Sequence, residues 1–323
     1  MELVREKDLL IAQQESNITA LSADLHNKRD QVKSLQQQLD QSQADLERAE
    51  STLQEAEEEI SALKEETLDM EQRINDSIAW FSDNAELPST LKTDRFISEV
   101  EDGCVDGDTL KLGCVSYLMD TELGFQYKFD PGGDTLYSID DIIQRKGGDC
   151  EDYALFFKAF LNRFDGMELE AWEPGSGRYE LYTDYDTSTI WYYDDTDPKR
   201  LDGKGLNPYA ACYYYGYYEG VQIGHCIIMM AERDIRSPED ITPEALWDAQ
   251  FFEPQTGEYF GRMGADFGVC VDGQQGCGES FGNLVFIITD RDLFEFSDGK
   301  WNYYGGYLER SEAILQELES IAT

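Results

Sequence analysis

Aliphatic side chains recur at every seventh position along the first quarter of the chain. Counted from Val4, ten of the eleven positions in this series are aliphatic, and Thr67 is the exception. The positions three residues further on mix lysine and serine with leucine and alanine, so the apolar seam is narrow. A seven-residue repeat of this kind is typical of an α-helical coiled coil. The series is Val4, Ile11, Ile18, Leu25, Val32, Leu39, Leu46, Leu53, Ile60, Thr67 and Ile74.

No helix-breaking residue interrupts this repeat. The first proline is Pro88 and the first glycine is Gly103, so the pattern predicts one helix without an internal turn. Such a helix cannot fold back on itself, and residues 1–78 are therefore predicted to form a coiled coil. We expect residues 4–77 to contact a second copy of the chain or another coiled-coil partner, with a solvated single helix as the alternative.

After residue 78 the pattern changes to short apolar runs separated by glycine, aspartate and proline. Regular alternation of strands and helices is missing, so residues 79–323 are predicted to form one α+β domain with an antiparallel sheet. The polar stretch 232–244 is expected to be a surface loop, and the tyrosine-rich stretch 212–218 to pack in the core or on an edge strand. Helices are predicted over 90–100, 114–119, 151–164 and 307–321, and strands over 178–182, 189–193, 221–230, 250–252, 284–289 and 301–304.

The net charge of the chain limits the classes of molecule that it is expected to bind. The 323 residues include 26 Lys and Arg against 67 Asp and Glu, a formal net charge of -41. Because affinity for phosphate depends on basic side chains, nucleic-acid binding is excluded and anionic membrane surfaces are disfavoured. The 41% hydrophobic and 12% aromatic content is enough for a packed core rather than a disordered acidic tail. Both predicted segments share the acidity, which indicates adaptation of the whole surface, as in a high-salt environment.

The cysteine count bears on the compartment. Seven cysteines leave one thiol over if six of them pair in an oxidising compartment, whereas a cytosolic chain would keep all seven as thiols. An extracellular or cell-surface location is favoured if they pair, and otherwise the cytoplasm of a high-salt organism. Close spacing favours one of the several possible pairings. The pairs are Cys104 with Cys114, Cys212 with Cys226, and Cys270 with Cys277, which leaves Cys150 over.

Several other features are expected to be absent. No apolar run is long enough to predict a membrane span, and the N-terminus lacks the apolar core of a signal peptide. No C-x-x-C spacing occurs and the domain has a single histidine, so neither a metal nor another cofactor is predicted.

Cys150 follows two glycines at the point where an amphipathic helix is predicted to begin. The stretch 147–154 is Gly-Gly-Asp-Cys-Glu-Asp-Tyr-Ala, and its Asp149 is a candidate N-cap. Backbone N–H groups in the first turn of a helix stabilise the thiolate form of a cysteine. The neighbouring carboxylates act in the opposite sense, so an activated Cys150 requires a cationic partner, usually an imidazolium.

The domain holds one histidine, His225, near the start of the apolar stretch 221–230. The other histidine, His26, lies at an outward position of the coiled coil. A single, rigidly held imidazole is suited to act as the general base for Cys150. The alternative is a core histidine bonded to a main-chain carbonyl group.

The stretch 147–154, followed by a strand-borne histidine, resembles the transglutaminase-like (papain-like) cysteine enzyme superfamily. The similarity covers roughly residues 110–260, and the stretches 123–127 and 137–143 also resemble that family's approach to its nucleophile. The resemblance implies an α+β domain in which a helix bearing the nucleophilic cysteine packs on an antiparallel sheet. It also implies a triad of Cys, His and Asp.

Carried over by position, Cys150 is the expected nucleophile and His225 the expected general base. Where the family has an Asp at the start of the strand after the histidine strand, this chain has Glu253. Glutamate is able to accept the same Nδ1–H bond of the imidazole, and Asp248 is the alternative third member.

An oxyanion hole in such a site would combine the main-chain N–H of Cys150 with a side-chain donor, either Gln144 or Tyr127. The sequence thus predicts a cysteine-nucleophile acyl-transfer enzyme, oligomerised by its coiled coil, that hydrolyses peptide or amide bonds of a polypeptide or amide substrate. One alternative is a catalytically inactive transglutaminase-like protein that binds peptides or acts as a scaffold. A second alternative is a transglutaminase that cross-links proteins.

Overall fold

The structure is a computed structural model of the chain. It describes residues 2–129, 135–172, 179–182, 189–192, 198–201, 205–218, 221–263, 269–271 and 282–321. The helices are α1 (Glu2–Asp83), α2 (Leu91–Gly103), α3 (Leu112–Thr121), α4 (Ile139–Arg145), α5 (Cys150–Arg163) and α6 (Tyr304–Ile321). The strands are β1 (Val105–Asp106), β2 (Thr109–Lys111), β3 (Glu168–Trp172), β4 (Tyr179–Tyr182), β5 (Thr189–Tyr192), β6 (Pro198–Arg200), β7 (Asn207–Tyr218), β8 (Val221–Ala231), β9 (Gln250–Phe252), β10 (Tyr259–Arg262), β11 (Val269–Cys270), β12 (Gly282–Ile288), β13 (Leu293–Ser297) and β14 (Lys300–Tyr303).

The chain divides into two compact units. One contains residues up to Leu68 together with residues from Leu315 onward, and the other contains Asp69–Ile314. The helix α1 continues to Asp83, past the predicted end at residue 78, because no proline or glycine precedes Pro88. Among the described residues, no helix combines the length and the apolar character needed to cross a membrane.

In the first unit, α1 is continuous and its apolar seam faces solvent in the single chain. Ile18 is 63% exposed and Leu39 is 60% exposed. Polar side chains along the helix bond locally, as Gln36 Nε2 does to Asp40 Oδ1 at 2.9 Å. The prediction of a long N-terminal helix is therefore confirmed.

The second unit contains a large antiparallel sheet in the order β10-β9-β8-β7-β12-β13-β14, with β11 parallel to β12. The strands β7 and β8 are paired along almost their whole length. In contrast, β9 pairs with β8 only from Ile228 to Met230. A smaller sheet has the order β1-β2-β3-β6, and β4 pairs with β5. The predicted α+β class with an antiparallel sheet is confirmed.

Side chains of β8 alternate between two apolar clusters, as the two-residue period of a strand requires. Cys226 and Ile228 pack in the cluster that contains α5. Ile227 packs in the other cluster, on the opposite face of the sheet. On the α5 face, the rings of Phe157 and Phe252 meet edge to face with 5.4 Å between their centroids. This packing places the first turn of α5 beside β8.

The structure describes two segments that were singled out in the sequence. The stretch 232–244 is a loop at the surface, as predicted, but Ile235 and Ile241 are each 3% exposed because they pack into the cluster opposite α5. Its polar residues pair with one another, as Arg233 Nε does with Asp240 Oδ1 at 2.7 Å. The tyrosine-rich stretch belongs to β7, which lies between β8 and β12. Its Tyr213 is 8% exposed within the cluster opposite α5, in agreement with the predicted core packing.

Lys158 is a buried charge in the middle of α5. It has no exposed surface and pairs with Asp290 in the turn between β12 and β13. Asn162 Nδ2, one helical turn later, donates to the same carboxylate at 2.8 Å. Burial lowers the pKa of Lys158, and the charge of Asp290 opposes this shift. Because a buried cation without its anion is costly, this pair fastens α5 to the end of the sheet.

Gly147, in the loop before α5, has a φ of +100°, and a Cβ there would overlap the main-chain oxygen and nitrogen of Gln126. We expect Gly147→Ala to lower the free energy of unfolding by about 2 kcal/mol or more, because both the backbone conformation and the contact oppose a side chain. Gly103→Ala is the control, since nothing lies within 4 Å of its Cβ position. Urea denaturation followed by tryptophan fluorescence measures both variants. Equal midpoints would contradict the close approach.

Candidate active site

Cys150 is the first residue of α5, and Asp149 occupies the N-cap position. The Asp149 backbone is extended there, with a φ of -93°, but its side chain makes no capping hydrogen bond. The loop before the helix is held by main-chain contacts instead. Residues 126–128 run beside residues 146–148 through two hydrogen bonds of 3.1 and 2.7 Å.

Gly148 makes room for a buried carboxylate. A Cβ at this position would overlap the side chain of Asp152, which has no exposed surface. Asp152 Oδ1 accepts a hydrogen bond from Tyr137 N at 3.0 Å. The two glycines that precede the cysteine therefore serve two different close approaches, one to the backbone of residue 126 and one to Asp152.

The half-buried thiol of Cys150 has two polar neighbours. It donates to Glu151 Oε2 over 3.4 Å, and its sulfur accepts from the main-chain N–H of Cys226. The Cα atoms of Cys212 and Cys226 are 4.0 Å apart, which is the spacing of a non-hydrogen-bonded pair of antiparallel strands. The N–H of Cys226 therefore points away from β7 and is available to the thiol. On that side of β8, the pairing with β9 has already ended.

The electrostatic surroundings favour the neutral thiol. Burial raises the pKa of Cys150 well above that of an ordinary thiol, and the charges of Glu151 and Asp149 raise it further. The N–H of Cys226 opposes this shift but does not reverse it. Burial also raises the pKa of Glu151, and the hydrogen bond and charge of Asp149 add to that rise. Cys150 therefore rests as a thiol and not as a thiolate.

The same group of side chains fits a metal ion poorly. The ligand atoms of Cys150, Glu151 and Cys226 lie within 4.8 Å of one another. The sulfur of Cys226 is bonded to Cys212, however, and a disulfide sulfur is not the thiolate that binds soft metals. We therefore assign no metal to this cluster.

His225 and Glu253 form a short hydrogen-bonded pair. His225 Nε2 lies 2.6 Å from Glu253 Oε2, with the side chains 24% and 10% exposed. The other oxygen of Glu253 accepts from Gln255 N at 3.1 Å, so the carboxylate is held from both sides. Burial lowers the pKa of His225, but the charge and hydrogen bond of Glu253 outweigh this effect and raise it. The sequence predicted that Nδ1 would bond the carboxylate, but Nε2 is the nitrogen that faces Glu253. Nδ1 is therefore the nitrogen left for proton transfer.

The remaining residues named from the sequence lie elsewhere. Asp248 is exposed just before β9, so Glu253 and not Asp248 contacts the histidine. Gln144 is exposed on α4. Tyr127 is half-buried in the segment that runs beside the loop before Cys150.

The thiol of Cys150 and the imidazole of His225 share no hydrogen bond. Successive side chains of a strand point to opposite faces, and Cys226, next to His225, packs on the α5 face. The imidazole belongs to the other face, where its ring meets Tyr213 edge to face with 6.1 Å between centroids. The thiol contacts the main chain at the edge of β8. The thiol and the imidazole therefore lie toward opposite faces of β8.

Where the structure describes both cysteines of a predicted pair, the two form a disulfide. Among the described residues, Cys150 is the free cysteine. Cys270 is also disulfide-bonded, and its predicted partner Cys277 lies outside the described residues. The described disulfides are Cys104–Cys114 and Cys212–Cys226.

Sequence reasoning missed two contacts of the thiol. Glu151 was expected only as one of several carboxylates near the helix start, yet it accepts the hydrogen bond of the thiol. The N–H of Cys226 depends on where β9 ends, and no local pattern specifies that. The one available signal was that Cys226 directly follows the single histidine of the domain.

Comparisons with known proteins find no similar one: no family model, no curated protein and no solved structure matches this chain.

We expect alkylation of Cys150 by iodoacetamide to be slow at neutral pH and to accelerate as the pH rises, because only the thiolate reacts and the pKa of Cys150 is raised. Glu151→Gln removes a neighbouring carboxylate, lowers this pKa and moves the profile to lower pH by about one unit. Glu295→Gln, at an exposed position of β13, is the control and should change nothing. Mass spectrometry of the alkylated peptide gives the rates. Identical profiles for all three proteins would contradict the assigned surroundings of the thiol.

Proposed function

We propose that this protein is a transglutaminase-like cysteine enzyme that hydrolyses peptide or amide bonds. Cys150 is the proposed nucleophile, His225 the general base and Glu253 the residue that orients the imidazole. The observation that carries the proposal is the 2.6 Å contact of His225 Nε2 with Glu253 Oε2. His225 is on β8, and the residue after it, Cys226, donates its main-chain N–H to the thiol of Cys150. A cysteine at a helix start and an oriented histidine are the groups that nucleophilic catalysis requires.

Each of these residues has a distinct role in the proposed reaction. Nδ1 of His225 takes the thiol proton while the sulfur of Cys150 attacks the carbonyl carbon, and the same proton then leaves with the amine. Water, deprotonated by Nδ1, releases the acid from the acyl-enzyme and restores the thiol. Glu253 accepts the Nε2–H bond of the resting imidazole, and its charge stabilises the imidazolium. Tyr127 and the main-chain N–H of Cys150 are the proposed donors to the oxyanion.

The raised pKa of Cys150 fixes the order of the first step. A neutral thiol is a weak nucleophile, so the proton has to move to the imidazole during the attack and not before it. The thiol and the imidazole lie toward opposite faces of β8, so the imidazole of His225 has to turn toward the thiol for the transfer. This turn is the conformational step that the proposal requires.

A catalytically inactive peptide-binding or scaffolding protein is the second candidate function. Two observations favour it: burial and carboxylates hold Cys150 as a thiol, and the hydrogen bond of that thiol goes to Glu151 instead of to the imidazole. In this case the pair of His225 and Glu253 would only stabilise the fold. No observation favours a cross-linking transglutaminase over a hydrolase.

We further propose that α1 forms a coiled coil with a second copy of the chain. Leu46 is 58% exposed and Leu53 is 61% exposed on the seam of the single helix. A second copy supplies an identical apolar stripe, so pairing in register would remove both stripes from water. Oligomerisation through α1 would then join two copies of the proposed catalytic unit.

Turnover of fluorogenic peptide amides by the full chain tests the catalytic proposal. We expect Cys150→Ser and His225→Ala to lower kcat/KM by about 10³-fold or more, because each removes a group that reacts directly. Asp248→Asn, at the exposed alternative position, is the control and should retain full activity. Activity should rise with pH as His225 loses its proton. Because Glu253 raises the pKa of His225, Glu253→Gln should move this rise to lower pH.

A peptide aldehyde provides a readout that does not depend on turnover. The expected result is a covalent adduct on Cys150 of the wild-type chain and a much slower one in His225→Ala. A folded wild-type protein with neither turnover nor adduct would exclude the enzyme and support the peptide-binding candidate.

Sedimentation equilibrium tests the coiled coil. We expect the wild-type chain to have twice the monomer mass, and Leu39→Lys with Leu46→Lys to be monomeric, because two charges would face their copies across the seam. Gln37→Lys with Ala44→Lys is the matched control, since it adds the same charge on the outward face of α1 and should leave the dimer intact. A wild-type monomer at micromolar concentration would refute self-association.

A further inference from the structure

Three sulfur atoms converge beside the start of α5. Cys212 and Cys226 stand opposite each other on β7 and β8 and form a disulfide. The sulfur of Cys150 lies within 4.8 Å of the sulfur of Cys226. The disulfide is buried, with its cysteines 8% and 7% exposed, whereas Cys150 is half-buried. The free thiol is therefore the member of the cluster nearest to solvent.

We propose that Cys150 and the Cys212–Cys226 disulfide form a thiol–disulfide exchange site. In the exchange, the thiolate of Cys150 attacks the sulfur of Cys226. The bond between Cys150 and Cys226 forms, the bond between Cys212 and Cys226 breaks, and Cys212 leaves as a thiolate. The proton given up by Cys150 ends on Cys212, so the exchange consumes neither an oxidant nor a reductant.

The geometry selects Cys226 as the sulfur that is attacked. The two sulfurs have to close from at most 4.8 Å to a bonding distance of about 2.05 Å. The hydrogen bond from the N–H of Cys226 already holds the Cys150 sulfur at that residue. A thiol held this close acts at a far higher effective concentration than a thiol in solution.

The charged groups around the thiol control the rate. Glu151 and Asp149 face it from the helix side, and the N–H of Cys226 faces it from the strand side. The two carboxylates favour the thiol over the thiolate, and only the thiolate attacks a disulfide. Exchange is therefore slow at neutral pH and accelerates as the pH rises.

Exchange would also remove the proposed nucleophile. In the exchanged form, Cys150 is bonded to Cys226 and the thiol sits on Cys212, on the sheet. The site would then be inactive until the original disulfide is restored. This consequence rests on the proposed function, whereas the exchange itself does not.

Disulfide mapping of the wild-type chain tests the exchange without an activity assay. The protein is incubated at about pH 7 and about pH 9.5, labelled with N-ethylmaleimide after acidification and digested without reductant. We expect the peptide that links Cys150 to Cys226 to appear together with labelled Cys212, at least about fivefold more at the higher pH. Glu151→Gln should reach the same extent at lower pH. Label on Cys150 alone at both pH values would overturn the proposal.

Cys212→Ser and Cys226→Ser form a matched pair, because each removes the cross-strand disulfide and leaves Cys150 with one other thiol. Oxidised glutathione converts such a pair of thiols into a disulfide and two molecules of reduced glutathione. We expect Cys212→Ser to close the bond from Cys150 to Cys226 at least about tenfold faster than Cys226→Ser closes a bond to Cys212. Equal rates, or glutathione adducts alone, would overturn the proposal. None of these readouts involves peptide hydrolysis, so this proposal and the proposed function fail independently.

Discussion

The early end of β9 is the constraint on which the rest of the site depends. This strand pairs with β8 only from Ile228 to Met230, so the N–H of Cys226 has no strand partner on that side. The thiol at the start of α5 takes its place. The chain that leaves β9 at this point carries Glu253 to within 2.6 Å of His225. One break in a sheet ladder thus supplies both the position of the thiol and the orientation of the imidazole.

Burial by packing and the charges of neighbouring carboxylates together decide the protonation state of Cys150. The aromatic contact of Phe157 with Phe252 and the buried pair of Lys158 with Asp290 hold α5 against the sheet. This burial raises the pKa of the thiol, and the acidic residues at the helix start raise it further. A helix start alone would have favoured the thiolate. The effects of desolvation and of the neighbouring carboxylates on the pKa of Cys150 outweigh the effect of the helix terminus. Both the proposed hydrolysis and the proposed exchange therefore start from a neutral thiol.

Much of the fold could be predicted because the relevant signals are local. The seven-residue repeat and the lack of breakers predicted α1, and the amphipathic stripe after Cys150 predicted α5. The contact of His225 with Glu253 was expected from the resemblance and is present. The packing of 232–244 could not be predicted, because two buried isoleucines among polar residues make no periodic pattern. The buried Lys158 was also missed, since its partner Asp290 lies far away along the chain.

By itself, the sequence determined the long helix, the α+β class and two candidate reactive residues: a cysteine at a helix start and the single histidine of the domain. Those properties follow from periodicity, composition and residue chemistry, which are local. The tertiary structure alone decided how the groups meet. Strand alternation turned His225 away from the face that bears Cys226, and the cross-strand disulfide came within 4.8 Å of the free thiol. Register and the end of a strand pairing are set by long-range packing, and no short stretch of sequence records them.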